Sequence, residues 1–303
     1  MLKPHVIIAT KGRPLETKVI LEALGSQSLK PAEVIVVGTD ETDVAEARFA
    51  NCEFEVRFIL NEPGASKQRN RGVDELAIGN AEASSSGSFI AFFDDDFRLA
   101  DDWLEKAAYT FSADSGIVGL TGQILADGIK GPGLSEQDAA DYLTGKNAPE
   151  KHWATGSEMR DIDSVYGCNM AFRTGVVDGC RFDENLPLYS WQEDRDFTSQ
   201  ARKIGRVVYQ PTCRGVHLGV KRGRQSGLKL GYSQIANPIY LAKKGTATNA
   251  WKRKLLLRAL AANTIYSVSP PSYTDYRGRL AGNFLAIRDL ITGGCRPDRI
   301  LNL

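Results

Sequence analysis

Residues Phe89-Ile90-Ala91-Phe92-Phe93 run directly into Asp94-Asp95-Asp96, with Phe97 next. The apolar run is too short for a helix and rich in aromatics, so it reads as a buried strand. Three adjacent carboxylates cannot stay in a core, because unpaired buried charge is costly. The strand must surface there. Asp94 and Asp96 are two residues apart, so an extended chain turns both to one face and Asp95 to the other. Ligands of open α/β sheets bind at the carboxyl ends of the strands. Two hard oxygen ligands on one face there suit Mg2+ or Mn2+ and, behind the metal, a phosphate-bearing substrate.

The flanking sequence has the alternation such a sheet requires. His5 to Thr10, Glu33 to Val37 and Val56 to Leu60 are β-branched strand segments. Between them Leu15 to Leu24 and Gly64 to Ala77 have helical spacing, and Pro14 suits a first helical position. This β-α-β-α-β order predicts an α/β fold with a mostly parallel central sheet flanked by helices. Asp101 or Asp102 can cap a further helix through Phe111, with Glu105 three residues after Asp102 as in a capping box, and Ile117 to Leu125 and Val165 to Arg173 read as strands. Residues 127 to 160 read as an irregular insertion. Phe197 to Ile204 is helical, Arg206 to Tyr209 is a last short strand before Pro211, and helix resumes from about Tyr232.

Length and charge refine this. With 303 residues and 42% hydrophobic composition the chain can build one large domain with an extension. The net charge of +1 hides an asymmetry: residues 197–274 contain no Asp or Glu but 14 Lys or Arg. That stretch must face something anionic, either the acidic half of the chain or a ligand. Five scattered cysteines without a C-x-x-C pair fit reduced cytoplasmic thiols rather than disulfides or a zinc site. No charged-then-apolar leader opens the chain, and no apolar run approaches the roughly 20 residues that span a bilayer. A cytoplasmic protein is expected, soluble or lying peripherally on the inner membrane surface. The Trp251–Arg258 segment has the composition of an interfacial helix, but its basic residues scatter around the helical wheel. Membrane contact, a partner subunit in a homo-oligomer and the acidic half of the chain all remain open as its counterpart.

The ordered segments resemble the GT-A fold of inverting family-2 glycosyltransferases over about residues 4 to 220. The resemblance rests on the opening strand with Thr10 and Arg13, the second strand ending at Asp40, the run Gly64-Ala65-Ser66-Lys67-Gln68-Arg69-Asn70-Arg71-Gly72, the acid triplet, and Trp191-Gln192-Glu193-Asp194. It implies a catalytic domain over residues 1–220, with a nucleotide-binding half to about 100 and an acceptor half from 101. Residues 221–303 then form a basic loop and helical extension. The donor would be a nucleotide-diphosphate sugar, with UDP- or dTDP-sugars favoured, and the acceptor a saccharide or glycoconjugate. No nucleic-acid partner is expected.

The same resemblance assigns individual roles. Asp94 and Asp96 contact metal and ribose, with Asp95 close by. Thr10, Arg13 and Asp40 contact base and ribose, and Lys67 and Arg69 lie on the donor side. Asp194 is the general base, with Glu193 in reserve, and Trp191 is an aromatic shelf beside it. Asn169 lines the acceptor side, and His217 completes the metal shell. By residue type alone several of these have ordinary alternatives: Asp40 a turn former, Arg69 an exposed helix residue, Asn169 a structural amide, His217 a half-buried histidine, and the acids at 193–196 dipole partners of a helix start. Lys221, Arg222 and Arg224 form a Gly/Arg-rich segment expected to fold over the donor diphosphate. Two other functions compete: a Mg2+-dependent nucleotidyltransferase, which lacks a G-x-x-x-x-G-K-[ST] loop, and a non-catalytic sugar- or nucleotide-binding protein on the same fold.

Overall fold

A computed structural model of the chain describes residues 2–79, 87–222 and 226–303. In chain order the elements are β1 (Lys3–Ala9), α1 (Pro14–Gly25), β2 (Glu33–Gly38), α2 (Glu41–Val44), β3 (Glu55–Leu60), α3 (Ala65–Gly79), β4 (Ser88–Asp94), β5 (Phe97–Leu99), α4 (Trp103–Ala113), β6 (Ile117–Asp127), α5 (Glu136–Leu143), β7 (Arg160–Asp161), β8 (Asn169–Arg173), α6 (Thr174–Gly179), α7 (Glu193–Ala201), β9 (Arg206–His217), α8 (Gly227–Lys244), α9 (Asn249–Val268) and α10 (Tyr276–Ile291). The chain divides into two compact units. One comprises Met1–Pro63, Lys67–Arg181 and Gln200–Gly223; the other comprises Gly64–Ser66, Phe182–Ser199 and Arg224–Leu303. The second unit therefore takes in residues 182–199 as well as the C-terminal helices.

The first unit is a mixed α/β structure on one sheet of order β3-β2-β1-β4-β8-β6-β9-β5, with β7 beside β9. β3, β2, β1 and β4 are mutually parallel, so their carboxyl ends share one edge. Ala9 stands opposite Asp94 in that register. β1, β2 and β4 are buried on both faces, which is why each reads as a continuous apolar run rather than an alternating one. Beyond β4 the sheet becomes mixed. β8 inserts antiparallel between β4 and β6, and β5 pairs antiparallel with β9. The parallel expectation holds for β3, β2, β1 and β4 and again for β6 beside β9, whereas β8, β5 and β7 pair antiparallel with their neighbours. The core beneath contains Phe93 stacked on Phe97 at 5.7 Å and edge-on to Trp103 at 4.8 Å. Each such ring pair contributes on the order of 1 kcal/mol beyond its area.

Two segments differ from their sequence patterns. The insertion over 127–160 carries α5, opened by a capping box between Ser135 and Asp138. β9 continues through Pro211 to His217, because its pairing with β6 shifts register between Gly122 and Gln123 and leaves the proline off the ladder. The extra length carries His217 to its position.

In the second unit α8 and α10 pack closely; a side chain on Gly231 would lie 2.0 Å from the Arg279 carbonyl oxygen. Tyr232, Ile235, Ala236, Ala286 and Ile300 form its core. α9 presents Leu257, Ile265 and Val268 outward while burying Ala259 and Asn263, so apolar side chains also stand on its exposed surface. Among the described residues no helix is long and apolar enough to cross a membrane.

Candidate active site

β4 ends at Asp94, and the turn through Asp95 and Asp96 leads into β5. β5 lies against the end of β9, with Phe97 opposite His217. Gly215 makes this approach feasible, since a Cβ there would meet the Phe97 ring at 2.0 Å. The pairing delivers an imidazole to the acid turn. Ligand atoms of Asp94, Asp96 and His217 all lie within 4.8 Å of one another.

The three carboxylates have separate environments. Asp94 is partly exposed and accepts from Arg69 Nη2 at 2.9 Å, and Arg69 also donates to the Gly167 carbonyl. Asp95 is buried, accepting from Thr10 Oγ1 at 2.8 Å and Arg13 Nη1 at 2.8 Å. Burial, with Asp96 alongside, pushes Asp95 up to about 7 against the pull of Arg13. Asp96 is buried too, and its Oδ2 accepts from the Val220 amide at 2.8 Å. Burial opposes its charge, but His217 and Arg13 outweigh that and hold its carboxyl well below the usual range. Burial likewise opposes charge on His217, yet Asp96 and Asp127 raise it to about 10.

The donor set suits a hard divalent cation: two carboxylates and one imidazole. Asp96 Oδ1 is buried and accepts no hydrogen bond, with His217 Nε2 at 3.4 Å as its neighbour. An orphaned buried carboxylate oxygen beside two other ligand atoms fits Mn2+ or Mg2+.

The residues expected to surround the donor fall at different depths. Thr10 is buried at the end of β1 and also meets Thr17. Arg13 donates from Nε to the Arg222 carbonyl and from Nη2 to the Val220 carbonyl, so it ties the acid turn to the segment after β9. Asp40 is the exposed N-cap of α2, accepting from Thr42. Asp43 is instead the buried acid of that segment. It accepts from the Gly12 amide and from both Thr39 groups, fixing the loop after β1 against the end of β2. Gln68 bridges the same two strands by donating to the Thr10 and Val37 carbonyls. Lys67 is paired with Glu62 near the surface. Lys221 donates to the carbonyls of Gly128 and Ile129, while Arg222 meets Glu16. Arg224 lies outside the described residues. Asn169 is fully buried opposite Phe93, accepting from Thr121 at 2.7 Å.

In the second unit, Glu193 and Asp194 open α7, with Glu193 buried and Asp194 partly so. The approach is strained: Leu188, Ser190 and Gln192 all have left-handed φ, at 58°, 53° and 78°. Non-glycine residues in that region cost free energy and cluster at functional sites. The strain is held by Ser190 Oγ, which donates to Leu186 and accepts from the Ser66 amide, and by the Leu188 carbonyl, which accepts from Ala65. Trp191 is anchored through its carbonyl by Asn237. Asp196 is buried against Lys244 Nζ at 2.8 Å and Thr246 Oγ1 at 2.7 Å, which locks α7 in place.

The central sheet flanked by helices has the GT-A fold, as solved structures show. A mannosyltransferase from Pyrobaculum calidifontis, solved with GDP-Man and Mn2+, matches with a TM-score of 0.55 and 17% identity, covering 99% of this chain and 85% of that one. TarS of S. aureus matches at 0.53 and 18%, covering 89% of this chain and 44% of that one. The chain belongs to glycosyl transferase family 2, whose model matches residues 5–178. A curated relative, the glucosyl-dolichyl phosphate glucuronosyltransferase of Haloferax volcanii, is 23% identical over 159 residues, 52% of this chain. The chain spans about half of that relative's length, at 47%.

Proposed function

We propose that the protein is a metal-dependent inverting glycosyltransferase, moving a sugar from a nucleotide-diphosphate sugar to an acceptor hydroxyl. The observation that carries this reading is the Asp94–Asp96–His217 cluster at the carboxyl edge of the sheet, in a chain of family 2. A divalent cation held by those three residues would neutralise the charge that grows on the departing nucleoside diphosphate.

The chain's own groups supply the rest. Asp95 and Arg13 shape the floor beneath the donor, and Arg69 holds Asp94 in position. Thr10, Asp43 and Gln68 set the loop after β1, where the nucleoside would lie. Asp194 accepts the proton of the acceptor hydroxyl. That oxygen attacks the anomeric carbon opposite the diphosphate, the bond to the diphosphate breaks, and configuration inverts in one displacement. Glu193, nearly buried at the same helix start, is the reserve base.

The donor is a UDP- or dTDP-sugar and the acceptor a saccharide or glycoconjugate. Related folds support a nucleotide-sugar donor without choosing its base: TarS has been solved with UDP-GlcNAc, GalNAc-T7 with UDP, GalNAc and Mn2+, and the Pyrobaculum mannosyltransferase with GDP-Man and Mn2+. The test is a screen of nucleotide sugars for Mn2+-dependent release of nucleoside diphosphate. Release from a UDP- or dTDP-sugar supports the reading, and no release from any donor class overturns it.

A further inference from the structure

His217 has a second relationship that its role as a ligand does not explain. Its Nδ1 lies 2.9 Å from Oδ1 of Asp127, the last residue of β6. Asp127 is itself fixed from two other directions. Its Oδ2 accepts from the Tyr166 hydroxyl at 2.8 Å, and its Oδ1 accepts from the Ile129 amide at 3.1 Å. His152 Nε2 adds a contact to Oδ2 at 3.6 Å. The Tyr166 ring stands edge-on to His217, with centroids 5.9 Å apart and planes at 87°. β6 and β9 pair Asp127 with His217 in register, so the backbone supports the contact.

We infer that Asp127 is a positioning residue for the metal site: it holds the His217 ring through Nδ1 and so presents Nε2 toward Asp94 and Asp96. The inference rests on the metal reading above and deepens it. An imidazole that ligates through one nitrogen commonly donates the other N–H to a carboxylate, which fixes ring orientation and strengthens the ligand; losing that carboxylate weakens metal affinity by about 10- to 100-fold. Asp127 meets the structural conditions for this. It is nearly buried, so its contact with Nδ1 is not diluted by solvent, and Tyr166 and Ile129 leave its carboxylate little rotational freedom. Tyr166 acts one step further out, by orienting Asp127.

The test is a titration of Mn2+ into the full chain by calorimetry, with free Mn2+ followed by electron paramagnetic resonance. Running it at two pH values separates proton competition at the imidazole from ligand orientation. Asp127→Asn should raise the Mn2+ dissociation constant by about 10- to 100-fold at both values. Tyr166→Phe, a milder change that keeps the ring, should raise it by about two- to tenfold, the loss of one hydrogen bond. In a His217→Ala background neither substitution should weaken Mn2+ binding further, because each acts through that ring. Equal Mn2+ affinity in wild type, D127N and Y166F overturns the positioning role while leaving the metal site intact. Additive losses in the His217→Ala background also overturn it. A wild-type chain that binds no Mn2+, alone or with UDP, removes the metal reading and this inference together.

Discussion

Arg13 Nη1 stands 2.8 Å from Asp95 Oδ1, and the same guanidinium reaches Asp96 at 3.3 Å and two carbonyls of the segment after His217. One side chain from the loop after β1 therefore neutralises the acid turn and ties down the neighbouring chain. Removing it leaves buried carboxylates with less compensation. Arg13→Ala should cost about 3 kcal/mol of unfolding free energy, measured by urea denaturation. Arg13→Lys should recover less than half of the loss, because an ammonium cannot span this fan of acceptors. Full recovery by lysine would show that charge alone matters at this position.

Gly215 carries the contact that brings β5 and β9 together beside the site. Gly215→Ala would force Phe97 aside, since the new Cβ would meet its ring at 2.0 Å. The expected cost is about 1–3 kcal/mol. Because Phe97 pairs with His217, Mn2+ affinity should fall in the same variant. A variant with wild-type stability and wild-type Mn2+ binding would contradict the account of how His217 reaches the acids.

Asp194→Asn should lower the rate of sugar transfer by about 10²- to 10⁴-fold, the range for a general base, with donor binding unchanged in a calorimetric titration. Transfer at the wild-type rate would move the base to Glu193.

The clamp on α7 gives a pH signature. Burial alone would raise Asp183, but hydrogen bonds from Lys244 and Tyr240 hold it below its ordinary value. Its contribution to stability is therefore present above about pH 4 and is lost as pH falls further. Burial disfavours charge on Lys244, yet Asp183 and Asp196 raise it, so its contribution persists until pH rises past its ordinary range near 10. Lys244→Met should cost about 2 kcal/mol at neutral pH, less than a fully enclosed pair would. It should also flatten both limbs of a stability–pH curve from chemical denaturation. Unchanged limbs would place the acid and alkaline transitions elsewhere.

The end of the strand at the acid turn was legible in the sequence, but the surfacing expected of all three acids was not borne out: Asp95 and Asp96 are buried there, because Thr10, Arg13 and the Val220 amide compensate them. The parallel half of the sheet was legible in its continuous β-branched runs. What escaped detection depended on long-range pairing. Asp127 closes an ordinary strand with no motif around it, and only the register between β6 and β9 sets it beside His217. The acids at 40 and 43 are equivalent by composition; the α2 start leaves Asp40 outside as a cap and turns Asp43 inward. The strand pattern from Arg206 breaks before Pro211, while the bulge that lets β9 continue through the proline leaves no local signal. Asn169 sits in a conspicuous segment, yet it is fully enclosed and engaged by Thr121.

The central claim is that the acid turn and His217 bind a nucleoside diphosphate through a divalent cation. Calorimetric titration of UDP, dTDP and GDP into the full chain, with Mn2+ and with chelator, tests it most directly. UDP or dTDP should bind with Mn2+ and lose that binding both in chelator and in Asp96→Asn. Nucleotide binding that is indifferent to Mn2+, or absent for all three nucleotides, would contradict it.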